Sequence, residues 1–145
     1  MRAELESRVR AANVNGIIRF LGFRSDLPAI LQAVDCVVLP SIASENLSVA
    51  VLEGLMAGTP AIVTEVGGMA EAVIDGVTGF VVSREDPHAI GAAMLKMVAD
   101  PAATRRMGAN ARSDALVRFT RRRMMDEYVK VLDETINRTT KGMRA

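Results

Sequence analysis

Glu45 and Glu53 stand eight residues apart in the segment Glu45-Asn46-Leu47-Ser48-Val49-Ala50-Val51-Leu52-Glu53. From Leu47 to Val63, Glu53 is the one charged residue, and its neighbours Val49, Ala50, Val51, Leu52, Leu55 and Met56 are apolar nearly all round a helix. Such a pattern predicts a buried helix, from about Asn46 to Ala57. A carboxylate there is costly unless it is paired or accepts hydrogen bonds. Two readings satisfy it. One is a structural partner, an arginine or a set of backbone amides. The other is a ligand with two adjacent hydroxyls, such as a ribose diol, gripped by both oxygens.

Glu45 precedes that helix. It either complements the positive helix end or belongs to an anion site there. The free amides of Asn46, Leu47 and Ser48 are expected to point at a phosphate. A helix throughout would set the two glutamates about 12 Å apart along its axis. An acid, a phosphate-binding helix end and a second carboxylate then lie in one line, suited to a sugar, a phosphate and a ribose in sequence.

The elements that must position this segment follow from punctuation in the sequence. Residues 2–12 read as a charged helix and Ile17 to Leu21 as a strand closed by Gly22. Asp26-Leu27-Pro28 opens a helix, with Asp26 as its N-cap. Cys36 to Leu39 is a strand ending at Pro40-Ser41. Gly58 and Pro60 close the helix that bears Glu53. Ala61 to Thr64 and Phe80 to Val82 are further strands, with a short helix through about Ile74 between them. Asp86-Pro87 and Asp100-Pro101 each begin a helix, and another starts after Thr120. Strands alternating with helices imply an α/β fold: a single Rossmann-like domain with a parallel sheet flanked by helices, followed by C-terminal helices. Ligands of such sheets bind at the carboxyl ends of strands, which selects the loops after Leu39 and Thr64.

Composition narrows the function classes. The 145 residues carry a net charge of +1, so no basic field invites nucleic acid. Cys36 is the sole cysteine and His88 the sole histidine, which leaves no internal disulfide, triad or metal cluster to build from them. Cys36 lies in an apolar run and is expected to be a buried, inert thiol. No apolar run reaches the ~20 residues of a membrane span, and the amino terminus lacks the apolar stretch of a signal peptide. A cytoplasmic protein is the expectation. Arg118, Arg121, Arg122 and Arg123 form a basic cluster, read as a solvated face or as a peripheral contact with an anionic membrane. Gly67-Gly68 lacks the spacing of a dinucleotide fingerprint.

Pro40-Ser41, Glu45, the step to Glu53, Gly58-Thr59-Pro60 and Glu65-Val66-Gly67-Gly68 together resemble the carboxyl-terminal domain of family 4 (group 1) retaining glycosyltransferases. Ile18 to Gly22 and Asp75 to Ile90 agree with the same pattern. The resemblance covers about residues 17–130. It implies one half of a GT-B fold, in which two Rossmann-like domains face each other across a cleft. It also implies a nucleotide-diphosphate sugar as donor substrate and transfer that keeps the anomeric configuration, with neither cofactor nor metal. Glu45 would be the catalytic residue, touching the hexose near its anomeric centre. Glu53 would hold the ribose. Asn46, Leu47 and Ser48 would receive the diphosphate, and the Gly22-Phe23-Arg24 loop would lie near the base.

The sequence departs from the family pattern where glycines often follow the first glutamate. Because the resemblance covers only part of the family's pattern, residues 1–145 are expected to form a single partial carboxyl-terminal domain, with the amino-terminal acceptor domain absent and the isolated chain inactive or dependent on a partner chain. Two rival functions are a non-catalytic nucleotide-sugar-binding subunit and a sugar-nucleotide epimerase of the same architecture.

Overall fold

Short apolar runs closed by proline, glycine or polar residues become the strands, because each can be covered on both faces by helices. The computed structural model describes residues 2–43 and 45–142, the side chains of 138–142 excepted. The elements run α1 (Arg2–Ala11), α2 (Leu27–Ala33), β1 (Val37–Leu39), α3 (Val49–Ala57), β2 (Ala61–Thr64), α4 (Met69–Ala72), β3 (Gly79–Val82), α5 (Pro87–Ala99), α6 (Pro101–Arg118) and α7 (Arg121–Gly142). The sheet has the order β1-β2-β3 and is parallel throughout, with Val37 opposite Ala61 and Ala61 opposite Gly79. The α/β architecture read from the sequence is therefore present.

Alternation along β2 divides the core. Ala61 and Val63 face a cluster with Val51 and Leu55 of α3, Met69 and Ala72 of α4, and Ala111 and Ala115 of α6. Ile62 faces the other way, onto Ala93 and Met97 of α5, with Val38, Phe80 and Met107 around them. All four β2 residues are buried, which makes it the central strand in packing as well as in order.

Three expectations fail here. Ile17 to Leu21 forms no strand, and Ile17 is 82% exposed. An extended segment needs a neighbour to take its backbone hydrogen bonds, and no described strand lies beside this one. Asp26 stands at the N-cap position of α2 as expected, but its side chain makes no cap hydrogen bond: its carboxylate is drawn to the Arg24 guanidinium at 2.5 Å. That ion pair lowers the Asp26 pKa and raises that of Arg24. Cys36 lies just ahead of β1 and is half-buried, not buried. Burial, with Asp35 adding repulsion, pushes its thiol pKa up, so it stays protonated and unreactive as expected.

The caps of the C-terminal helices match the sequence reading. The Asp86 carboxylate accepts from the Ala89 amide at 2.9 Å, and Asp100 accepts from Ala103 at 2.8 Å. Asp100 ends α5 and begins α6, and Thr104 Oγ1 donates back to the Met97 carbonyl at 2.8 Å. Asp100→Ala is expected to cost about 1 kcal/mol. In thermal unfolding followed by circular dichroism this appears as a midpoint lowered by roughly 2–4 °C.

Candidate functional site

The loop between β1 and α3 carries Glu45, and the loop between β2 and α4 carries Gly67-Gly68. Both leave the carboxyl ends of adjacent parallel strands, so the sheet brings them together. Thr64 Oγ1 donates to the Ser41 carbonyl at 2.6 Å, which ties the two strand ends directly. The Gly68 amide donates to the Glu45 carbonyl at 3.1 Å. Gly67 sits at φ +54°, and a β-carbon built there would lie 1.7 Å from the Glu45 carbonyl oxygen. The backbone of Glu45 is thus clamped by a glycine pair from the neighbouring loop. Its half-buried carboxylate accepts from Ser41 Oγ at 3.5 Å, a long contact that leaves oxygen lone pairs open.

Helix α3 begins at Val49, with Ser48 as N-cap, three residues later than the sequence suggested. Asn46, Leu47 and Ser48 therefore lie ahead of the helix. The first turn's bond runs from the Leu52 amide to the Ser48 carbonyl, at 3.0 Å. The amides of Val49, Ala50 and Val51 are the ones left outside the helical ladder. Sequence reasoning missed these residues because the apolar pattern reaches back to Leu47, ahead of the helix; Ser48, a favoured N-cap type, was the signal that could have placed the start. It also missed Gly67-Gly68 as the clamp on Glu45, since that contact joins loops far apart in the chain.

Glu53 is exposed, and the expectation of a buried carboxylate is overturned. Helix α3 buries Val51, Gly54 and Leu55, whereas Val49, Ala50 and Glu53 form an outward stripe at helical spacing. An apolar count round a helix cannot tell a covered face from an uncovered one. Glu53 has no hydrogen bond or ion pair with any described residue, so the structural-partner reading of it has no support. What the stripe presents is unpaired amides at one end and a carboxylate one turn further along.

Phe23 is 96% exposed and Arg24 is engaged with Asp26. No described hydrogen bond or ion pair links Gly22, Phe23 or Arg24 to the Glu45–Glu53 segment. His88 is exposed at the start of α5, as expected of a solvated residue. Of the basic cluster, Arg118 is committed: it pairs with Asp114 at 2.8 Å, donates to the Glu71 carbonyl and stacks on the Phe119 ring. Arg121, Arg122 and Arg123 remain exposed. No helix among the described residues is long and apolar enough to cross a membrane.

A parallel sheet flanked by helices, with Glu45 on the loop that follows β1, is a Rossmann-like α/β arrangement. The family model described as "Glycosyl transferases group 1" matches residues 1–114. The chain belongs to that family and corresponds to its carboxyl-terminal domain. It is 35% identical over 98 residues to the D-inositol 3-phosphate glycosyltransferase of Corynebacterium urealyticum, covering 66% of this chain and 23% of that protein. It is 36% identical over 110 residues to the glycogen synthase of Mycobacterium tuberculosis, covering 74% and 26%. The chain thus spans about a quarter of the length of these curated relatives. Among solved structures, Anabaena Alr3699/HepE in complex with UDP superposes with a TM-score of 0.86 at 26% identity, over 91% of this chain and 36% of that one.

Proposed function

We propose that this domain binds the nucleotide-diphosphate sugar donor of a retaining glycosyltransferase. The observation that carries the reading is the outward stripe of α3, where unpaired amides of the first turn lead to the unpaired carboxylate of Glu53, beside a Glu45 held rigidly by Gly67-Gly68. The Anabaena protein, similar in fold and bound to UDP, supports a nucleotide diphosphate as the ligand type. In this reading Glu53 grips the ribose hydroxyls and the amides at the start of α3 receive the diphosphate. As the diphosphate departs, those amides stabilise its growing charge with no reorganisation. Glu45 contacts the hexose near the bond that breaks, and the Gly22-Phe23-Arg24 loop lies beside the base. No cofactor or metal takes part. Transfer also needs an acceptor held against the sugar, which falls to a second domain or a partner chain.

Glu53 makes the test clean. Being exposed and unpaired, it can be removed without disturbing the fold. A carboxylate bonded to two hydroxyls contributes about 2–3 kcal/mol, or roughly 30–150-fold in affinity. Thermal-shift screening across nucleotide sugars, followed by calorimetric titration, is expected to show that loss in Glu53→Ala. Equal binding by the variant would remove the ribose role. Failure of every nucleotide to bind the folded chain would remove the donor site itself.

A further inference from the structure

Thr64 closes β2 and is 1% exposed, the one polar side chain among the buried residues of that strand. Packing alone would take a valine there, which has the same branched shape and suits a covered strand. A buried hydroxyl costs free energy unless it is bonded. The bond it makes, not its packing, accounts for a threonine at this position.

The ladder between β1 and β2 ends at Leu39 and Val63. Beyond it, Thr64 Oγ1 supplies the next link between the strands, donating to the Ser41 carbonyl at 2.6 Å. That bond fixes the peptide plane from which the chain departs toward Glu45. Ser41 Oγ in turn donates to Glu45 Oε2 at 3.5 Å. At that length a small rotation of Ser41 breaks the contact, so it lasts only while the Ser41 backbone is held. The main chain of Thr64 acts on the other side of Glu45. Its carbonyl accepts from the Val66 amide at 2.8 Å, which begins the turn into Gly67-Gly68, and the Gly68 amide takes the Glu45 carbonyl at 3.1 Å. Thr64 therefore stands at the root of both attachments of Glu45, one to its carboxylate and one to its backbone.

We propose that the Thr64 hydroxyl is a positioning group for the Glu45 carboxylate, acting through Ser41, and that it sets affinity for the sugar of the donor and not for its nucleotide. This rests on the donor-site reading above, in which Glu45 meets the hexose while Glu53 and the first amides of α3 meet the ribose and the diphosphate. The hydroxyl's bonds lead only toward Glu45. Helix α3 starts later, at Val49, and no described hydrogen bond joins it to Thr64 or Ser41.

Thr64→Val removes the hydroxyl and keeps the shape. Calorimetric titration with UDP-glucose, ADP-glucose and GDP-mannose, each beside its sugar-free nucleoside diphosphate, reads the effect. Whichever nucleotide sugar the wild type binds is expected to bind Thr64→Val about tenfold more weakly, with the sugar-free diphosphate unchanged to within about twofold. Ser41→Ala keeps the carbonyl that Thr64 holds and removes the next link, so it should show the same sugar-dependent loss. The double variant should lose no more than either single change, as two links of one chain do. Thr64→Ser should restore the affinity, a rescue that a packing defect would not show. Should Thr64→Val fail to fold, Ser41→Ala carries the test by itself. The inference is overturned by unchanged nucleotide-sugar affinity in either single variant, by equal weakening of the sugar-free diphosphate, or by failure of Thr64→Ser to restore binding. A wild type that binds none of the six compounds would remove the donor site and this inference with it, whereas a wild type that binds and an indifferent Thr64→Val would remove this inference alone.

Discussion

Gly67→Ala is expected to weaken nucleotide-sugar binding roughly 100-fold while leaving the sheet folded. At φ +54° an alanine costs about 1–2 kcal/mol in backbone strain alone. Its methyl group would also stand 1.7 Å from the Glu45 carbonyl oxygen and 2.8 Å from the carbonyl carbon. Both are backbone atoms, so no rotamer change relieves the clash. The loop bearing Glu45 must move away, and the Gly68 amide loses its acceptor. A displacement of an ångström or more at a site of fixed geometry is worth roughly 100-fold. Calorimetric titration with the nucleotide sugar that the wild-type chain binds should report that loss, alongside a melting temperature that falls by only a few degrees. Unchanged affinity would show that the loop clamp does not set the site.

The second large effect lies in the core. Gly108 of α6 is buried against the turn that ends α3, and a β-carbon there would meet the Gly58 carbonyl oxygen at 2.2 Å. Gly108→Ala gains up to about 1 kcal/mol of helix propensity. The overpacking penalty outweighs it, because α6 must lift from α3 and loosen Ala111 and Ala115 in the shared cluster. A net loss of about 2–3 kcal/mol is expected, or a midpoint roughly 5–10 °C lower. Gly91 of α5 supplies the contrast, since nothing lies within 4 Å of its built β-carbon. Gly91→Ala should stabilise by up to about 1 kcal/mol. Urea unfolding of the two variants should move in opposite directions, and a stabilised Gly108→Ala would refute the packing argument.

The legible part of this fold was the part written locally. Ala61 to Thr64 reads as a strand because a proline precedes three apolar residues and a β-branched threonine. Asp86-Pro87 and Asp100-Pro101 read as helix starts because an N-cap carboxylate and a first-turn proline act within three residues. What could not be read depends on what packs against a segment. Ile17 to Leu21 has the composition of a strand and no strand beside it. Asp26 has the placement of a cap, but the Arg24 guanidinium competes for its carboxylate. Glu53 sits among apolar residues, yet only one side of its helix meets the core. At the candidate site, the eight-residue step between glutamates drew attention to the loop after β1 and to α3. The glycine clamp across loops became visible only once β1 and β2 were paired.

The parallel sheet has a consequence for the order of assembly. With no hairpin among β1, β2 and β3, each pairing must wait for an intervening helical segment to be made and brought back across the sheet. Such non-local contacts are slow to form. Among the described strands Val37–Leu39 comes first, and Ala61–Thr64 is its one described neighbour. During synthesis this uncharged segment waits for Ala61–Thr64 to emerge before the pairing between them can form. That interval, more than the stability of the folded state, is when this domain is most open to strand-to-strand aggregation.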